Sequence, residues 1–102
     1  MKLLDMVSAL SKAGVATTVR GVGETLIAEF EDGFYKSDGM AHLREENGRL
    51  YLNARYGEKK EVLGIDDVIK CSKEWHEFSH DRFDGWETPP AHWAALYETL
   101  SA

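Results

Sequence analysis

With 102 residues, 43% of them hydrophobic and 29% charged, the chain has the composition of one globular domain, residues 1–102, able to bury a core without metal or disulfide staples. The formal net charge of −6 works against direct binding to phosphate backbones, and no stretch approaches the roughly 20 apolar residues of a membrane span. In the opening MKLLDMVSALSKAG, Asp5, Ser8, Ser11 and Lys12 interrupt the apolar run, which excludes a signal-peptide h-region and makes a cytoplasmic protein the expectation.

Helical spacing of Leu3, Met6, Val7 and Leu10 predicts an amphipathic helix over residues 2–13, with Gly14 at a left-handed C-terminal cap. The period then changes to two. Val15, Thr17 and Val19 alternate with Ala16, Thr18 and Arg20 before a turn at Gly21-Val22-Gly23, which lacks the third glycine of a dinucleotide loop. The next strand, residues 25–31, points Leu26, Ala28 and Phe30 to one side, and Asp32-Gly33 supplies a hairpin turn into Phe34-Tyr35-Lys36.

A second hairpin is centred on Asn47-Gly48. A two-residue turn there pairs Leu43 with Leu52, Glu45 with Leu50 and Ala41 with Ala54. That register collects Ala41, Leu43, Leu50, Leu52 and Ala54 on one face, with His42, Arg44, Tyr51, Asn53 and Arg55 on the other. Turn chemistry and hydrophobic alternation select the same pairing. After a turn at Gly57-Glu58, residues 60–63 form a last short strand.

Beyond Gly64, the spacing of Ile65, Val68, Cys71, Trp75 and Phe78 predicts a helix to about Arg82, with Asp66 and Asp67 in the dipole-favoured first turn. Its apolar arc centres near Val68 and Trp75. Phe83-Asp84-Gly85-Trp86 reads as a turn. Thr88 as N-cap and Pro89 at the first helical position open a closing helix with Trp93, Leu96, Tyr97 and Leu100. The expected fold is α+β: an N-terminal helix, a four- to five-stranded antiparallel meander, and two C-terminal helices packed on one sheet face. Cys71, the only cysteine, falls on the apolar helix face and is read as packing, in keeping with a reducing compartment.

One stretch carries a motif. His76-Glu77-Phe78-Ser79-His80 spells H-E-x-x-H, and in five residues it resembles the zinc peptidases, in which two histidines four apart bind the metal and the glutamate activates its water. The resemblance implies a zinc-dependent hydrolase. Three features oppose it. The extended motif fails, since Phe83 and Trp86 stand where glycine and the third histidine belong, leaving His92 or Glu87 to complete the ligand set. Charged residues (Lys73, Glu74, Asp81, Arg82) flank the motif, and 102 residues leave little material for a substrate cleft. His76 and His80 are therefore expected as border residues of a structural helix, Glu77 facing solvent with Lys70 and Asp81, and no metal or other cofactor is expected.

Residues 65–102 hold eight acids against three bases, so −5 of the net −6 falls in this last third. It also holds all three tryptophans. Trp75 and Trp93 are read as core. Trp86, beside Asp84 and Glu87 in a turn, is the candidate anchor of an acidic interface that also includes Asp81 and Glu77. In size and charge alone, the chain is similar to immunity proteins and phage-encoded inhibitors of nucleic-acid enzymes. The leading expectation is a small acidic protein-binding module that docks on a basic, nucleic-acid-binding partner surface. The alternatives are the zinc hydrolase and a weak nucleic-acid or phosphate binder through the hairpin face of His42, Arg44, Tyr51, Asn53 and Arg55. Neither membrane association nor direct nucleic-acid binding is favoured, and the sequence admits a homo-oligomer.

Overall fold

A computed structural model describes residues 2–31, 40–54, 59–79 and 88–100. The order is α1 (Leu3–Lys12), β1 (Thr17–Val22), β2 (Thr25–Glu31), β3 (Met40–Glu46), β4 (Arg49–Ala54), β5 (Lys60–Glu61), α2 (Ile65–Ser79) and α3 (Ala91–Thr99). The strands form one open antiparallel sheet in sequence order, and the three helices bury their apolar sides on one face of it. This is the α+β meander expected from the pattern.

The β3–β4 hairpin has the expected register: Leu43 opposes Leu52, Glu45 opposes Leu50 and Ala41 opposes Ala54. Asn47 and Gly48 both have positive φ, 53° and 76°, the combination of a type I′ turn whose twist matches the strands it joins. Ala41, Leu43, Leu50 and Leu52 are buried together with Ala28 and Phe30 of β2, Val62 after β5, and Leu3, Met6 and Leu10 of α1. The one acid in this row, Glu45, has a structural task. No side chain of Lys2 caps α1, and Glu45 Oε1 instead accepts the Leu3 N–H at 3.1 Å, placing a carboxylate at the positive end of the helix dipole.

Several local expectations are corrected. Gly21 and Val22 continue β1 in pairing with β2, and the turn is Gly23-Glu24, because Val22 still opposes Thr25. Val15 is buried ahead of the strand, not within it. Leu26 shares the face of Ala28 and Phe30 but is largely exposed near the sheet end, whereas Ile27 on the opposite face is only 3% exposed. Ile27 lies opposite Arg20 on one side and Arg44 on the other, so long aliphatic stems stand on either side of it. β5 ends at Glu61, although the Val62 N–H still donates to the Leu50 carbonyl at 2.9 Å.

Thr88 does not cap α3. The helix starts at Ala91 with Pro90 at the N-cap, in an extended conformation (φ −52°, ψ 149°). The physical reason is the second proline: a residue before proline is sterically pushed out of the α region, so Pro89 cannot open the helix that Pro90 would continue. Trp93 is fully buried as expected, and Trp75 is partly buried against the core. The Asp32-Gly33 and Gly57-Glu58 turns, Phe34-Tyr35-Lys36 and Arg55 lie outside the described residues. Among the described residues no helix is long and apolar enough to cross a membrane.

Cys71 is buried on α2, and burial is the main cause that pushes its thiol above the ordinary value; the nearby Lys60 charge opposes the shift. A thiol held protonated and covered reacts poorly, because the thiolate is the nucleophile. Titration with a disulfide reagent at pH 8 should therefore proceed at least about tenfold more slowly in the native chain than in denaturant. Equal rates would mean that Cys71 is open to solvent.

Candidate interaction surface

The site begins with the orientation of α2. The spacing of Ile65, Val68, Cys71, Trp75 and Phe78 predicts one inward face, but the residues actually buried are Val68, Ile69, Cys71, Ser72 and His76. The inward face is rotated by roughly 50°, about half a residue step, from the purely hydrophobic one. Its cause is α3. The Tyr97 hydroxyl and Ser72 Oγ form a buried hydrogen bond of 2.7 Å, and the Tyr97 ring stacks on His76 with centroids 6.2 Å apart. A buried hydroxyl pair that satisfies both partners makes serine acceptable in the core. Sequence reasoning missed Ser72, and the only available signal was a second small polar residue four positions before His76.

The rotation corrects two expectations. His76 is a buried residue, 9% exposed, and not a border one; it packs against Tyr97 in the α2–α3 interface. Phe78, expected to be packed, is 62% exposed. Glu77 is exposed, as expected, and Lys70 with it. His92 is exposed on α3, its ring 6.0 Å from that of Trp93. Among the described residues no three His, Cys, Asp or Glu side chains gather as a metal site. His80, Asp81, Asp84, Trp86 and Glu87 lie outside the described residues.

Turning His76 inward leaves acids on the outer side of α2. Asp66, Asp67, Glu74 and Glu77, interspersed with Lys70 and Lys73, line an open depression of about 460 Å³ together with Leu100, the residue that follows α3. Asp67 Oδ2, in the first turn, accepts the Leu63 N–H at 2.7 Å and so ties the entering chain to the helix, while Glu74 lies 3.7 Å from Lys60. Large apolar groups are exposed at both ends of the helix, Leu63 (75% exposed) just before it and Phe78 in its last turn.

The outer sheet face is not the basic surface that hairpin residues alone suggest. Arg20 pairs with Glu29, and His42 lies 3.9 Å from the same carboxylate. Lys59 pairs with Glu46 at 2.6 Å and sits 4.5 Å from the Tyr51 ring centroid, and Arg44 is 3.8 Å from Glu46. Arg49 is 3.7 Å from Glu61. Among the described residues, therefore, each lysine or arginine of this face has a carboxylate within 4 Å. Such exposed pairs add little stability, but they balance the charge that would attract a phosphate. The hydrogen bond from Lys59 is the main cause that holds the Glu46 carboxyl below its ordinary value. The depression here, lined by His42, Arg44, Glu46, Tyr51, Asn53 and Lys59, is small at about 150 Å³.

Set against known protein families, curated proteins and solved structures, the chain matches none of them, so its site is read from its own residues.

Proposed function

We propose that the chain is a protein-binding module that docks the outer side of α2 on a basic protein surface, as a small acidic inhibitor of a nucleic-acid-binding enzyme would. The observation that carries this reading is the pairing of exposed carboxylates Asp66, Glu74 and Glu77 with the exposed ring of Phe78 on one helix. Carboxylates steer a cationic partner and suppress wrong ones, whereas a large apolar side chain supplies short-range affinity once water is excluded. The balanced outer sheet face offers neither in comparable measure.

The two contributions separate in one experiment. A partner captured from lysate is purified and its binding kinetics measured against variants over a range of salt. Glu74→Gln with Glu77→Gln should mainly slow association and flatten its salt dependence. Phe78→Ala should mainly speed dissociation, at a cost of about 1–2 kcal/mol. The Trp86→Ala variant tests the anchor expected from sequence in the same series. Unchanged kinetics in both α2 variants, or a captured partner with no basic surface, would remove this reading.

A further inference from the structure

The two edges of the sheet are built differently. β5 has only two residues, Lys60 and Glu61, both charged and preceded by Lys59, which is an ordinary protection against strand addition. β1 is a full strand of six residues, five of them exposed, paired with β2 along its whole length. Thr17, Thr18, Val19 and Val22 are β-branched, proline is absent, and the single charge, Arg20, is already matched by Glu29. Among the described residues no strand lies beyond β1. Its outer row of backbone N–H and C=O groups is a template for another strand.

We propose that β1 pairs antiparallel with β1 of a second copy of this chain, joining two five-stranded sheets into one across a two-fold axis at Val19. Self-complementarity selects the register. A two-fold axis normal to the sheet keeps each face on its own side, so only residues of one face oppose each other. The two longest overlaps that meet this condition are centred on Val19 and on Arg20. The Arg20 centre sets two guanidinium groups against each other. The Val19 centre sets valine against valine and each Arg20 opposite the second copy's Thr18, with no like charges in contact.

The charge layout agrees. On α2, Asp66, Asp67, Glu74 and Glu77 outnumber Lys70 and Lys73, and the Lys60–Glu74 contact holds this helix near the far edge of the sheet. The acidic outer side of α2 in each copy therefore lies away from the joint. Repulsion between two chains of charge −6 still opposes association, so added salt strengthens the dimer. A joint made by one strand from each copy is small, so the dimer forms weakly and with concentration.

The test needs no other protein and is independent of the function proposed above. Sedimentation velocity from about 10 µM to about 1 mM should show a monomer–dimer equilibrium that shifts toward dimer as salt rises. Val19→Lys puts two ammonium groups on the axis and should raise the dissociation constant at least about tenfold. Thr18→Lys places a lysine opposite Glu29 within its own sheet, which keeps the fold, and opposite Arg20 of the second copy twice over; about a tenfold rise is again expected. Thermal melts establish that both variants remain folded. A wild-type chain that stays monomeric throughout, leaving the edge to a strand of some other protein, overturns the proposal, as does a dimer that neither substitution weakens. A dimer weakened by Val19→Lys alone overturns the Val19 register.

Discussion

Trp93→Ala should cost about 3–5 kcal/mol, lowering the thermal midpoint by roughly 20 °C for a domain of this size. Trp93 is 0% exposed and sits where sheet and helices meet: its ring lies 6.1 Å from Phe30 and 5.9 Å from Tyr97. Its indole N–H also donates to the Glu31 carbonyl at 3.2 Å, tying α3 to the end of β2. Truncation removes the largest fully buried side chain among the described residues, opens a cavity that the rigid sheet cannot close, and deprives a carbonyl of its donor. Trp93→Phe keeps much of the volume and loses the N–H, so it should cost less than half as much. Denaturant titration of the two variants checks this, and equal losses would mean that the hydrogen bond, not the packing, holds α3 in place. A domain of this length has only about 5–15 kcal/mol in total, so the alanine variant should be marginally folded at 37 °C.

The second large effect is expected at Leu43, where the substitution to alanine should cost about 3 kcal/mol. Leu43 is fully buried at the middle of β3, the central strand, between Ala28 on β2 and Leu52 on β4. With a small Ala28 on one side, no neighbour can expand to fill the space. Arg44→Ala, one residue along on the outer face, should stay within about 0.5–1 kcal/mol, because an exposed ion pair contributes little. A one-residue slip of the strand would exchange these two costs, so the pair of measurements reports the register in solution.

The β3–β4 hairpin was legible because two independent local rules agreed. Asn47-Gly48 accepts the positive φ of a type I′ turn, and the apolar residues on either side alternate in phase with it. Strand and helix types followed in the same way from periods of 2 and 3.6, and Trp93 as core followed from helical spacing. The outer sheet face was legible only in part. His42, Arg44 and Tyr51 project outward as expected, yet their charge is balanced by Glu29 on another strand and by Glu46, whose partner Lys59 arrives from beyond β4. Arg44 and Glu46 are neighbours on one face of β3, but Glu29 reaches His42 and Lys59 reaches Glu46 over separations that no local pattern encodes.

The candidate surface shows the same division. That residues 65–79 form a helix, and that acids cluster after residue 64, are properties of the sequence by itself, since spacing and composition need no partner. Which side of that helix meets solvent was decided by tertiary packing. Hydrophobic spacing favoured Phe78 over Ser72 and His76. The Tyr97 hydroxyl reversed the order by satisfying Ser72 and presenting a ring to His76, so Phe78 turned outward among the carboxylates. Glu45 is a parallel case: an acid in an apolar row, misplaced by alternation alone, accepts the N–H of Leu3 from 42 residues away. Hydrophobic periodicity is summed over near neighbours and therefore determines element type and approximate face. A buried polar group is tolerated only where a specific distant partner satisfies it, and that partner exists only once the fold has formed.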